Sequence, residues 1–365
     1  MTPVGGTLRA RLETRDNAVG FVRLALAGLV ILGHAFPLGG FEPVRWGPFV
    51  HGGLHGAAVE GFFVLSGYLV LASGVRSGPA PFLWRRFLRI YPAYVAAVIS
   101  TAFVFAPLGA ALESGARWNA ASAASYVFGS LDLKPSQDGI RDTLLSVPWS
   151  GVWNGSLWTL FYEACAYAGV AIVCAIPAVR ARLRSVVTIS TSLLTLAYVV
   201  LPEGAITSAV PGSAGSIADT GLRLWTCFAW GMLAYVWGDR IRLTRAVGVS
   251  AASVFLLAVH VSGMPVGIGH LVAVPSLAVT VLAAACLLTT RIGSSTDLSY
   301  GVYLFGFPVQ QMLVIMGIHE LGWAPAVFGC LAVTLPIAWA SWHLIEQPAL
   351  RLRGVVPAAK IVRAA

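Results

Sequence analysis

The chain has 365 residues, of which 57% are hydrophobic and only 11% are charged, and its mean hydropathy is +0.79. No ordinary soluble domain is this apolar, so the composition indicates an all-α protein that crosses a membrane several times. The net charge of +9 is not interpreted as nucleic-acid binding, because lysines and arginines on cytoplasmic loops give membrane proteins a basic balance.

Ten apolar segments are long enough to cross a membrane. They lie at 19–37, 57–74, 91–108, 155–176, 185–202, 217–238, 246–263, 268–290, 298–317 and 324–345. No convincing small-residue cleavage site follows the first, so we interpret it as a retained helix and not a signal peptide. The chain is predicted to be one membrane domain, 1–365, with polar tails at 1–18 and 351–365.

The basic residues are distributed unevenly between the two sides of this predicted bundle. With the N-terminus inside, nineteen lysines and arginines fall on one side and five on the other. The five are Arg45, Arg117, Lys134, Arg141 and Arg223. Cytoplasmic loops carry the excess of basic residues, so the pattern predicts ten spans with both termini in the cytoplasm. Residues 109–154 then form the longest external loop, and loops of this length are usually functional or disordered.

The first span carries two ionisable residues, Arg23 and His34. They are eleven positions apart, so in a helix they share one face and are separated by about 16 Å along its axis. Ionisable groups in hydrocarbon are costly and usually face a protein interior or a water-filled cavity. The alternative interpretation is an arginine that reaches the interface and a hydrogen-bonded core histidine.

The second span contains Glu60 near its outer end and Ser66 near its middle. Gly61 and Gly67 permit close approach of a neighbouring helix. Helix packing with a glutamate at the interface is the alternative to a functional role for this segment.

Residues 75–90 form a short basic amphipathic segment on the predicted cytoplasmic side, before the third span. It contains Arg85, Arg86 and Arg89, and Arg85 and Arg89 share a helix face. Guanidinium groups at a cytoplasmic interface suit phosphate, either of an anionic lipid or of a nucleotide-bearing cofactor. Both interpretations remain open from these residues alone.

The fourth span places Glu163 about two turns below the outer surface, where a carboxylate needs a partner. His34 is predicted at a similar depth, and a His–Glu pair would orient the imidazole and raise its basicity. His270, near the outer end of the eighth span, is a second candidate partner. The five cysteines lack metal-ligand spacing, so we predict free thiols and no metal site.

Several segments together resemble the membrane acyltransferase-3 family of bacterial enzymes, which O-acylate sugars of surface polysaccharides and related acceptors. The resemblance rests on the Arg23–His34 spacing and on F-F-V-L-S-G-Y-L (62–69), R-R-F-L-R-I-Y-P (85–92), S-L-W-T-L-F-Y-E (156–163), S-Y-G-V-Y-L (299–304) and L-I-E-Q-P (344–348). Two positions depart from the family pattern. Glu60 stands where the family often has Asp, and Gly306 stands where many members have a histidine.

The resemblance implies an O-acyltransferase in the bacterial inner membrane that uses acyl-CoA, most often acetyl-CoA, and acylates a hydroxyl of a glycan or lipid-linked sugar. His34 is the expected general base or acyl carrier, Glu163 its orienting partner and Arg23 a donor-binding residue on the same face. The arginine cluster is expected to bind donor phosphates. Further residues expected to support the site are Glu60, Ser66, Trp158, Tyr300 and His270. The alternatives are a proton-coupled transporter or flippase-like carrier, whose interrupted helices are not evident, and a non-catalytic receptor.

Overall fold

The computed structural model describes residues 6–14, 16–42, 52–210, 212–261 and 265–356, and within these ranges it is helical without strands. The α-helices are α1 Leu8–Glu13, α2 Val19–Leu38, α3 Gly53–Ser77, α4 Pro79–Ser100, α5 Ala106–Leu112, α6 Ala120–Phe128, α7 Thr159–Ala175, α8 Pro177–Ala181, α9 Leu183–Val200, α10 Ala205–Ala209, α11 Ser213–Val236, α12 Arg245–His260, α13 Val266–Leu287, α14 Ser299–Ile315, α15 Trp323–Ser341 and α16 Gln347–Arg351. Short π-helical segments at Thr101–Phe105 and Trp342–Glu346 and 3₁₀ turns at Ile318–Leu321 and Leu352–Gly354 complete the helical structure.

Each of the ten predicted apolar segments coincides with a helix. Among the described residues, six helices are long and apolar enough to cross a membrane: Val19–Leu38, Gly53–Ser77, Pro79–Leu112, Leu183–Val200, Val266–Leu287 and Trp323–Gly354. Two more apolar helices, α7 and α12, are shorter. The helices confirm a multi-pass membrane protein, while the count of ten spans and the orientation of the termini stay predictions.

The third span differs from its predicted bounds. The basic segment before 91 does not lie apart from the span, because a helix runs from Pro79 through a π-helical segment to Leu112. Gly78, with φ of +75°, separates it from α3, and Pro79 begins it at a position where a missing N–H has no cost. The basic segment and the membrane span are therefore one continuous helix.

Helix α3 lies at the centre of the bundle, and α2, α7, α11 and α13 pack around it. It crosses α11 at Gly67 and Gly231, where a Cβ on either glycine would overlap a backbone carbonyl oxygen of the other helix. The predicted close approach at Gly67 is thus present. Ser66 is adjacent to this crossing, so the backbone contact fixes its position.

Helices α2 and α14 run side by side and carry much of the candidate site. The side chain of Gln310 donates to the Ile31 carbonyl at 2.8 Å. Gly306 faces Ile31 so closely that a Cβ there would lie 2.9 Å from its Cγ1. A larger side chain at this position would push α2 away from α14.

Candidate active site

Arg23 and Asp297 form an ion pair at one end of the bundle, called here the arginine end. An Nη of Arg23 donates to Oδ2 of Asp297 at 2.5 Å, and Arg89 donates to the same oxygen at 2.5 Å. Burial by itself would raise the pKa of the Asp297 carboxyl. The two guanidinium groups and the hydrogen bonds from Ser299 outweigh burial and hold that pKa at about 2.

Arg89 is bound on several sides. Besides Asp297, it donates to Glu346 at 3.0 Å, and its guanidinium lies over the rings of Tyr300 and Trp342. Glu346 is only 1% exposed and lies in the π-helical segment that ends α15. The side chain of Arg89 therefore ties α4, α14 and the end of α15 together.

The other two members of the cluster point elsewhere. Arg85 donates to the Pro81 carbonyl of its own helix at 3.0 Å, and Arg86 lies over the rings of Phe82 and Tyr167. The three arginines thus have separate surroundings and do not present one common face. Their predicted contact with donor phosphate stays a prediction.

A small cavity opens beside Arg23 within the bundle. It has a volume of about 50 Å³, enough for a few water-sized groups. Its walls come from α2, α3, α7 and α14, and its lining residues are Arg23, Val59, Phe62, Phe63, Ser66, Thr159, Leu160, Glu163, Ser299, Tyr300 and Tyr303. Four residues singled out from the sequence, on four different helices, meet here: Arg23, Ser66, Glu163 and Tyr300.

Glu163 is oriented by two hydroxyl groups. Its Oε1 accepts hydrogen bonds from Ser66 at 3.1 Å and from Tyr167 at 2.5 Å. Arg86 lies 5.5 Å from the centre of the Tyr167 ring, so the carboxylate also has a cation behind its tyrosine partner. The hydrogen bonds of Glu163 are made within the cavity wall and not to His34.

A larger cleft lies at the arginine end, with a volume of about 780 Å³. It is polar and is lined by Thr14, Asp16, Asn17, Val19, Gly20, Arg23, Arg291, Gly293, Ser294, Ser295, Asp297 and Trp342. Arg23 belongs to the walls of both this cleft and the small cavity. Its side chain, held by Asp297, stands between the two spaces.

His34 lies toward the opposite end of α2 and is only 6% exposed. Its ring stacks on that of His55, with 4.3 Å between centroids and 30° between planes, and it packs edge to face with Phe307 at 5.1 Å between centroids. His55 precedes Val59 by one helical turn, and Phe307 follows Tyr303 by one turn. The imidazoles therefore lie about one helical turn, roughly 5.4 Å, beyond the small cavity.

Part of the predicted long loop packs against α14 beside this histidine pair. Trp149 packs against Phe307 at 5.7 Å between ring centroids. The side-chain amide of Gln311 donates to the carbonyls of Trp149 and Val152 at 2.9 and 2.8 Å. The loop is thereby fastened to α14 directly above the ring that touches His34.

The remaining predicted residues lie outside the cavity. Glu60 is 5% exposed and pairs with Arg223 of α11 at 3.4 Å. His270 stacks on Tyr198, with 3.8 Å between ring centroids. Trp158 is 39% exposed at the start of α7, where it packs on Tyr162.

Sequence reasoning missed Asp297, His55 and Arg223. Asp297 is the one acidic residue between α13 and α14. Its position directly before the S-Y-G-V-Y-L segment is the signal that could have identified it. His55 was not considered beside His34, although both fall near the same side of the predicted bundle. Arg223 was counted only as an external charge.

The model of a family described as "Acyltransferase domain" (Acyl_transf_3) matches residues 16–343. The O-acetyl transferase of Shigella phage Sf6 is 28% identical over 350 residues, which cover 91% of this chain and 96% of that protein. No solved structure matches the chain.

Proposed function

Because the chain belongs to the acyltransferase-3 family, and is thus an acyltransferase, we propose that it transfers an acetyl group from acetyl-CoA to a hydroxyl of a glycan or lipid-linked sugar. The relative from Shigella phage Sf6 is named an O-acetyl transferase, which supports the acetyl group and the oxygen acceptor. Family membership favours this activity over the carrier and receptor alternatives.

The observation that carries the proposal is the series of spaces along α2. A polar cleft of about 780 Å³ leads to Arg23, a cavity of about 50 Å³ follows, and His34 lies one turn further on. A donor with a bulky anionic head and a narrow acyl arm suits this order. The cleft suits the nucleotide, with Arg291 and Arg23 available to phosphate oxygens, and the cavity suits the thioester.

In the proposed reaction His34 takes the proton of the acceptor hydroxyl. The oxygen then forms a bond to the acyl carbon, the carbon–sulfur bond breaks, and the proton neutralises the departing thiolate. A transient acyl-imidazole on His34 is the two-step version of the same transfer. Glu163, fixed by Ser66 and Tyr167, supplies a carboxylate to the wall of the cavity through which the acyl arm would pass.

The uneven distribution of basic residues supports an arginine end that faces the cytoplasm, where CoA thioesters are made. His34 would then lie toward the outer side, next to the loop fastened by Gln311. An acceptor would approach it from that side. The membrane would be the bacterial cytoplasmic membrane, and its lipids would surround the apolar helices.

The test uses purified protein, [¹⁴C]acetyl-CoA and a membrane glycolipid extract from the cells that produce it. Wild-type protein should label the extract, and His34→Gln should lower the rate by about 10²–10⁴-fold, the usual contribution of general acid–base catalysis. The Michaelis constant for acetyl-CoA should change little.

His343→Gln is the matched control. His343 is partly exposed, and its ring nitrogen meets the Trp339 carbonyl of its own helix at 2.9 Å, so this change should leave the rate near that of wild type. Near-normal turnover of His34→Gln at full expression would make His34 a packing residue. No labelling by wild-type protein would refute the proposed donor and acceptor together.

A further inference from the structure

We propose that His55 is the positioning residue of His34: the face of its uncharged ring orients the His34 imidazole and stabilises the positive charge that forms on it during acyl transfer. This inference rests on the proposed role of His34 as the base. It assigns to an aromatic face the task that a carboxylate was expected to perform.

The first observation is the stack itself. The two rings lie 4.3 Å apart with 30° between their planes, which presents the face of His55 to the face of His34. Phe307 meets His34 from another side at 72°. His34 is thus held between two aromatic side chains, and its plane is set by their contacts.

The second observation is that the nearby carboxylates are used elsewhere. Glu163 accepts from Ser66 and Tyr167, and Glu60 pairs with Arg223. In the part of the chain that the structure describes, no carboxylate is hydrogen-bonded to His34. The partner that would stabilise an imidazolium there is therefore the ring of His55.

The third observation is how firmly His55 is placed. Gly33, the residue before His34, approaches α3 so closely that a Cβ on it would lie 2.5 Å from the backbone nitrogen of His55. The two histidines are thus neighbours through a contact between the backbones of α2 and α3. A small change of side chain at 55 leaves that backbone contact in place.

The fourth observation concerns charge. Arg223 of α11 lies near enough to act on His55 electrostatically, and its own counter-ion is Glu60. If His55 were protonated, its positive charge would lie near both the Arg223 guanidinium and the positive charge that forms on His34. Like charges repel, so that arrangement is unfavourable. In this proposal His55 faces His34 as a neutral ring, so that its aromatic face can attract the cation.

The experiment compares two substitutions of His55 in the labelling assay with purified protein. His55→Phe keeps an aromatic face without a ring nitrogen, whereas His55→Leu keeps apolar bulk without a face. We expect His55→Phe to remain within about 3-fold of the wild-type kcat and His55→Leu to lose about 5–30-fold, the range given by a desolvated cation–π contact. The Michaelis constant for acetyl-CoA should stay the same in both, since the donor cleft is at the arginine end.

His55→Tyr and His55→Gln repeat the contrast, with and without an aromatic face, if Phe or Leu lowers the amount of folded protein. Equal losses in the aromatic and the non-aromatic variants would show that a ring nitrogen of His55 is needed and would overturn the proposal. Wild-type kcat in His55→Leu would overturn it as well. His34→Gln is measured in parallel: if it stays active the proposed function of His34 fails, and if it is inactive a failed His55 contrast refutes only this inference.

Discussion

Replacement of Asp297 by Asn removes the carboxylate that Arg23 and Arg89 share. The pKa of Asp297 lies at about 2 against an ordinary value of 3.8, and each pKa unit corresponds to about 1.36 kcal/mol. The folded protein therefore gains about 2 kcal/mol from ionised Asp297 at neutral pH. Its side chain is 19% exposed, so solvent screens this pair only in part.

Because the pKa of Asp297 is lowered in the folded state, this stabilisation is fully present above about pH 4 and is lost as pH falls toward 2. Asp297→Asn should lower the melting temperature by roughly 5 °C, and the deficit should stay constant from pH 8 to pH 5. A thiol-reactive fluorescent dye reports the melting in detergent, since four of the five cysteines are buried and become reactive on unfolding.

Asp16→Asn is the matched control, because Asp16 is an exposed carboxylate of the same cleft. It should leave the melting temperature within about 1 °C of wild type. In a double-mutant cycle, Arg23→Gln should cost less in the Asp297→Asn background than in wild type. Equal melting temperatures for the two Asn variants, or a deficit that vanishes near pH 6, would refute the reasoning.

Two further predictions concern packing and the donor. Gly67→Ala should destabilise the protein strongly, since its Cβ would overlap α11. Gly28→Ala, in open space, should be neutral or stabilising by up to about 1 kcal/mol. Equal melting temperatures for the two variants would contradict the close contact. Arg86→Gln should raise the apparent Michaelis constant for acetyl-CoA more than Arg85→Gln. Arg86 lies beside the tyrosine that binds Glu163, whereas Arg85 contacts only its own helix. Equal Michaelis constants would favour a lipid-binding role for both arginines.

Sequence reasoning predicted the helices and singled out several residues that the structure places in the wall of the small cavity. Apolar length defined the segments, and the cost of ionisable groups in hydrocarbon selected Arg23 and Glu163. Both line the cavity, together with Ser66. The helices could be predicted because each rests on a property of one segment, whereas the roles of Arg23 and Glu163 stay predictions.

The partners could not be predicted in the same way, because they depend on how helices from distant parts of the chain are placed. Glu163 and His34 were expected at similar depths, but Glu163 accepts a hydrogen bond from Ser66 and His34 stacks on His55. Ser66 and His55 are eleven residues apart on α3, which sets the two groups roughly three helical turns apart. Arg89 shared a helix face with Arg85, yet its length lets it reach Asp297 and Glu346 from the C-terminal half. Helical periodicity gives the direction of a side chain but not the identity of the residue it meets.

The small volume beside Arg23 has a consequence for the choice of donor. In the proposed mechanism the acyl arm must pass one guanidinium and fit a space of about 50 Å³ walled by Phe62, Phe63 and Tyr303. Aromatic walls in a packed bundle do not yield to extra methylene groups without strain. In that mechanism the cavity would select the donor by the length of its acyl chain. A two-carbon acyl group would fit, and a long fatty-acyl group would be excluded.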